Sequence, residues 1–106
     1  LLFKVMALAG EGKTAQGLEL IRPYVNVPEA EFNVAIAQLK QQQPEMTQRF
    51  GKTIGTEKIK SEVVGESFMK ITFLQKFEEY AMKWEIFFYK ATDEWTITKY
   101  TVNDQI

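Results

Sequence analysis

Three parts of this sequence hold residue types whose spacing could do chemistry. Ala7-Leu8-Ala9-Gly10-Glu11-Gly12-Lys13-Thr14 fits a relaxed phosphate-loop pattern, with Ala in place of the first Gly. In such a loop backbone amides cradle phosphates, and here Lys13 would reach the terminal phosphate and Thr14 would hold magnesium. Glu78-Glu79 and Asp93-Glu94 are paired acids, the formal requirement for glycosidase-like catalysis. The surroundings argue against both. A phosphate loop needs a parallel sheet with helices on both faces, whereas here a run of helical pattern precedes a run of strand pattern. No apolar strand ending in an Asp supplies the second magnesium contact. Gly10 to Thr14 therefore reads as a turn between two helices. The acid pairs fall at expected hairpin turns, where polar residues are common, and adjacent strand side chains point to opposite faces.

What is missing narrows the chemistry further. The chain has 0 His and 0 Cys. That removes Ser-His and Cys-His nucleophile pairs, thiolate and imidazole metal sites, and the side chain that changes charge near neutral pH. Any catalysis would run on Glu, Asp, Lys, Tyr, Ser or Thr, with a buried Glu or Tyr as the acid or base. No catalytic constellation stands out, and no cofactor or metal is expected. The formal net charge is −1. No field of one sign gathers nucleic acid, so no nucleic-acid partner is expected.

Elements that would position a site follow from periodicity. At 106 residues the chain is read as a single domain, 1–106. Leu1 to Ala9 is apolar and helical, stopped by Gly10 and Gly12. Ala15, Leu18, Ile21 and Val25 follow helical spacing from Thr14, with Pro23 blurring the end. Pro28 suits the first turn of a third helix, and Glu29 and Glu31 favour its positive end. Phe32, Ile36, Leu39, Gln43, Met46 and Phe50 fall at steps of three and four, one stripe facing a core. Pro44 is expected to kink or split that helix, and Gly51 to end it.

Four strands are expected after Gly51. Glu57 to Gly65 is charged on both faces and suits a protected edge. Phe68 to Phe77 and Tyr80 to Lys90 are the strongest, and Trp95 to Val102 is the last. A two-residue turn at Glu78-Glu79 sets Gln75 opposite Met82, Phe73 opposite Trp84, Ile71 opposite Ile86 and Met69 opposite Phe88. A one-residue slip would scramble the apolar face, so the register is specified. The other face carries Lys70, Thr72, Lys76, Lys83 and Glu85 together with Phe68, Leu74, Phe87 and Tyr89. In the last strand a bulge near Thr98-Lys99 would bring Trp95 and Ile97 to the same face as Tyr100 and Val102. The expected fold is α+β: about three N-terminal helices, then a four-stranded, strongly bent antiparallel sheet wrapped on the long helix to enclose a cone.

Several helices followed by a bent sheet ending in Asp93-Glu94-Trp95-Thr96-Ile97 resembles the nuclear transport factor 2-like superfamily of cystatin-like cones. The stretch from Trp84-Glu85-Ile86-Phe87-Phe88-Tyr89-Lys90 to Val102-Asn103-Asp104 is similar to small bacterial members. So is the helical entry Leu18-Glu19-Leu20-Ile21-Arg22-Pro23-Tyr24. The resemblance spans essentially the whole chain and implies fold far more than activity. Enzymes of the superfamily place His or Asp deep in the cone. This chain has no His, and Asp93 and Asp104 fall in a turn and at the tail, so no catalytic residue carries over. Non-enzymatic members bind small ligands or peptides, or pair through the sheet.

The leading expectation is a non-catalytic binding or accessory role. A small apolar ligand would lie in a cone lined by Phe32, Ile36, Leu39, Phe73, Tyr80, Trp84 and Phe88. The alternative is a structural module that dimerises through the outer sheet face at Phe68, Phe87 and Tyr89, its cone filled by its own side chains. An acid-base isomerase or lyase is the third reading. The apolar runs are too short to span a bilayer. The chain begins at Leu1 rather than Met. Cleavage of a signal peptide would make it exported or periplasmic, and otherwise the cytoplasm is expected.

Overall fold

The computed structural model describes residues 1–105. The helices are α1 (Leu2–Gly10), α2 (Thr14–Glu19) and α3 (Glu29–Phe50), with a 3₁₀ turn at Arg22–Tyr24. The strands are β1 (Thr53–Val64), β2 (Phe68–Phe77), β3 (Ala81–Lys90) and β4 (Trp95–Asn103), antiparallel in the order β1-β2-β3-β4. This is the expected α+β arrangement, helices first and a curled sheet over them.

Gly10 to Thr14 links α1 to α2 by a turn in which Gly12 and Lys13 donate to the carbonyls of Ala9 and Leu8. No strand precedes it, so the phosphate-loop reading is lost. Gly17 allows α2 to press on α1: a β-carbon there would lie 3.2 Å from the Val5 carbonyl oxygen. Helical spacing overreaches from this point. α2 stops at Glu19, Pro23 sits in the 3₁₀ turn, and Val25 forms a bridge to Ile97 instead of continuing a helix.

α3 carries the predicted stripe, with Phe32, Ile36, Leu39, Met46 and Phe50 all buried. Pro44 does not split it. The ring lies on the exposed side, where water can take up the carbonyl it frees, and the Thr47 hydroxyl donates to the Gln43 carbonyl at 3.1 Å. Gly51 ends the helix with φ +86, and the Glu78 carboxylate sits where a side chain would have to go, 2.8 Å from an ideal β-carbon. Glu78 Oε1 accepts from the Lys52 amide at 2.8 Å, which ties the β2–β3 turn to the helix end.

The β2–β3 register pairs Gln75 with Met82, Phe73 with Trp84, Ile71 with Ile86 and Met69 with Phe88, as expected. Ladder shifts leave Ile54 and Ile59 extra in β1 and Thr98 extra in β4, and bulges of this kind bend a sheet. β1 begins four residues earlier than its charge pattern indicates, because its two bulges break strict alternation. The Thr98 bulge turns Ile97, Tyr100 and Val102 inward as expected. Trp95 is a correction: it stays partly exposed beneath the Lys90 ammonium, 5.2 Å from its ring centre.

The main core joins Val5, Leu18, Ile21, Phe32, Ile36 and Leu39 of the helical half to Phe73, Trp84, Ile86 and Ile97 of the sheet. A smaller cluster of Met46, Phe50, Phe77 and Met82 lies at the other end of α3. Two fully buried polar side chains, Gln75 and Thr14, meet at the main core. Gln75 is fully buried on the inner face of β2. Its amide nitrogen donates to the Ala9 carbonyl at 3.0 Å and to the Thr14 hydroxyl at 2.8 Å. Its oxygen accepts from the Trp84 indole N–H at 3.0 Å. Each buried polar group left without a partner costs about 1–3 kcal/mol. Because the Ala9 carbonyl also accepts from the Gly12 amide, Gln75→Leu strands two of them, the Thr14 hydroxyl and the Trp84 indole N–H, so its unfolding free energy in urea should fall by about 2 kcal/mol or more. Thr14→Val strands one Gln75 donor and should cost about 1–2 kcal/mol. A Gln75→Leu variant as stable as the parent would show that the network adds nothing to stability.

Candidate functional site

The residues expected to line the cone divide by position. Phe73 and Trp84 are fully enclosed neighbours on adjacent strands, their rings stacked with centres 5.1 Å apart and planes 21° apart. With no exposed surface, neither has room for a water molecule against it. Phe32, Ile36 and Leu39 are buried on the α3 stripe. The Phe32 ring meets Tyr100 edge to face at 5.6 Å, with the Arg22 guanidinium 4.7 Å from its centre. Phe88 is half-buried toward the β1–β2 hairpin end. Tyr80 lies away from the others. It is half exposed just before β3, its ring 5.5 Å from Phe50 and its hydroxyl donating to the Asp104 carbonyl at 3.1 Å.

Several hollows border α3, and three of them touch its buried stripe residues. One of about 210 Å³ adjoins Phe32, between Arg22, Val25, Val27 and Glu29. One of about 100 Å³ lies between Leu39, Leu18 and Tyr100. The third, of about 240 Å³, lies at the open end between Gln42, Glu45, Met46, Arg49, Phe50, Met82 and Asp104. None of the residues lining this last one was among the expected site residues. Its only trace in the sequence is that Gln42, Glu45 and Arg49 follow the spacing of the buried stripe one step around the helix.

Burial of the Tyr100 phenol, and then the nearby Glu31, push its pKa above the ordinary tyrosine value, so it stays protonated at neutral pH. It is a hydrogen-bond donor there rather than a base. The paired acids take structural places: Glu78 caps the start of β1, while Asp93 and Glu94 sit in the β3–β4 turn. No group of three His, Cys, Asp or Glu suited to a metal occurs among the described residues. No described helix is long and apolar enough to cross a membrane.

The outer sheet face combines aromatic rings with paired charges. The Phe68 and Phe87 rings lie 6.3 Å apart, and Tyr89 is the register partner of Phe68. Val64, the β1 partner of Phe68, is largely exposed beside them. The Lys70 and Lys99 ammoniums lie 5.7 and 5.2 Å from the Phe87 ring centre. Across the strands, Lys70 faces Glu85 at 3.2 Å and Glu62 at 3.7 Å, while along single strands Lys83 lies 3.9 Å from Glu85 and Lys60 2.9 Å from Glu62. Thr101 donates to Glu85 at 3.3 Å. Burial pushes the Glu85 pKa up, but the bond from Lys70, the charge of Lys83 and the Thr101 hydroxyl outweigh it and hold the carboxyl below its ordinary range.

No protein-family model matches this sequence, and no curated protein matches it significantly. Two solved structures are similar in shape. One is a Campylobacter jejuni protein whose name calls it an NTF2-like transpeptidase. It superposes with a TM-score of 0.54 at 15% identity, over 92% of this chain and 94% of that one. The other is a DUF4783 family protein from Bacteroides uniformis, with a TM-score of 0.58 at 11% identity, over 98% and 96% of the two chains. At such identities the likeness speaks of architecture, and with the helices and curled sheet described above it shows that this chain has the nuclear transport factor 2-like fold.

Proposed function

We propose that this protein is a non-catalytic interaction module in which two copies pair through the outer sheet face. The observation that carries the reading is the aromatic patch of Phe68, Phe87 and Tyr89 set among side chains of both charges. A two-fold interface presents the same patch from each partner, so it must be complementary to itself. A face with Lys70, Lys83 and Lys99 beside Glu62 and Glu85 meets that condition: after a two-fold rotation, lysines can meet glutamates around joined aromatic centres. Size is consistent. Four strands about 4.8 Å apart, with ten residues rising about 3.3 Å each, make a face of roughly 600 Å² in projection. One partner of a stable complex buries about 800 Å².

The second reading, a small apolar ligand in the cone, draws on the hollows beside Phe32 and Leu39. It asks more of the protein, because an occupant reaching Trp84 has to displace packed neighbours and open the hydrogen bond to Gln75.

Light scattering across a concentration series tests the pairing. The expected mass is twice 12.3 kDa. Phe87→Glu and Tyr89→Glu, both on the sheet surface, should each give a folded monomer with unchanged circular dichroism. A parent that is monomeric at about 100 µM, a concentration that detects even weak dimers, would sink the proposal. So would a Phe87→Glu protein that remains dimeric.

The charges on this face also predict a pH dependence. The Glu85 carboxyl has a lowered pKa when folded, so its stabilisation is present above the ordinary glutamate value of about 4.3 and is lost as pH falls through the lowered value. Glu85→Gln should be about 1 kcal/mol less stable than the parent at pH 7, with the gap closing as pH falls below about 4. A gap that is the same at both pH values would assign the loss to packing rather than charge.

A further inference from the structure

We propose that the hollow at the open end of the cone binds a free amino acid with an apolar side chain. This stands apart from the pairing face and does not depend on it. Gln42, Glu45, Met46, Arg49 and Phe50 come from one side of α3, and Met82 of β3 and Asp104 beyond β4 close the opposite wall. The floor is apolar: Met46, Phe50 and Met82 are all buried. Two of those three are thioethers, flexible enough to fit side chains of differing shape. The rim carries one guanidinium and two carboxylates.

Among the described residues Arg49 is poorly matched. Its Nη2 lies 4.0 Å from Asp104 Oδ2, beyond hydrogen-bond length. The guanidinium carbon lies over the Phe50 ring, 4.9 Å from its centre, which holds the group at the rim. Guanidinium donors suit a two-point grip on a carboxylate. Asp104 is fixed at its backbone by the Tyr80 hydroxyl, 3.1 Å from its carbonyl oxygen.

A simple carboxylic acid would satisfy Arg49 but bring a third negative group to Glu45 and Asp104. A simple amine would satisfy the acids and leave Arg49 with no more than its 4.0 Å contact to Asp104. A zwitterion answers both, with its carboxylate on Arg49, its ammonium toward Glu45 and Asp104, and its side chain on Met46, Met82 and Phe50. The volume of about 240 Å³ holds about eight waters' worth of matter, which is one amino acid rather than a cofactor.

The test is a titration of the protein, labelled with ¹³C at its methionine methyls, with L-leucine. The chain has four methionines, so Met6 and Met69, remote from the hollow, serve as internal controls. Saturable shifts confined to Met46 and Met82 are expected. N-acetyl-leucine, which lacks the ammonium, and leucinamide, which lacks the carboxylate, should each bind at least about tenfold more weakly. Arg49→Gln, at an exposed position, should lose about tenfold while leaving the Met6 and Met69 signals in place. No saturable shift at Met46 and Met82 up to about 10 mM leucine would overturn the proposal, as would equal binding by leucinamide or by the Arg49→Gln protein.

Discussion

One primary amide holds the two halves of this molecule in register. Gln75 spends both N–H groups on the helical layer, at Ala9 and Thr14, and accepts from Trp84 within the sheet. The surrounding hydrocarbon could pack in several ways that bury nearly the same area, since hydrophobic contact has no direction. Hydrogen bonds in that hydrocarbon are strict, because a shift of either layer would strand polar groups away from water. The amide therefore fixes where the α1–α2 corner sits on the sheet, and Trp84 is fixed with it.

Curvature is the second constraint. Extra residues at Ile54, Ile59 and Thr98 bend a sheet that would otherwise diverge from α3. The bend gives its two faces different chemistry. The concave face takes the α3 stripe and the enclosed rings, while the convex face is left with Phe68, Phe87 and Tyr89 among lysines and glutamates. At the open end, past Met46 and Phe50, the helix and the outgoing chain at Asp104 separate enough to leave a hollow with charged walls.

Much of this was legible in the sequence, for local reasons. β2 and β3 each place apolar residues on one parity, and the Glu78-Glu79 turn fixes their offset, so the cross-strand pairs could be written without coordinates. The α3 stripe and the Thr98 bulge were readable in the same way. The misses have local causes as well. β1 hid its first residues because two bulges break its alternation. The second helix looked longer than it is, since Ile21 and Val25 keep helical spacing while packing from a 3₁₀ turn and a bridge. Trp95 has the parity of an inner residue but sits at the strand's first position, outside the helical cover. Gln75 was recognised as facing inward, but its role was hidden because Ala9 and Thr14 lie 66 and 61 residues away in the chain. The open-end hollow is made by residues from α3, β3 and the segment after β4, a conjunction that no single stretch displays.

The strand order has a kinetic consequence. Each strand pairs with the next in sequence, so every ladder can form by closing a short turn, an event on the microsecond scale. The contacts that seat α1 and α2 join the first fifteen residues to β2, and closing loops of that length carries a larger entropic cost. The meander can assemble before its cover arrives. Until docking, the concave apolar face is open to water, and Gln75 and the Trp84 indole meet their bonding needs with solvent or with each other. On this topology the seating of the α1–α2 corner on the sheet is expected to be slower than the closing of the strand turns. Substitutions at Ala9 or Thr14 should act mainly on the rate of that step or on its reversal, while those at the β2–β3 turn act on what precedes it.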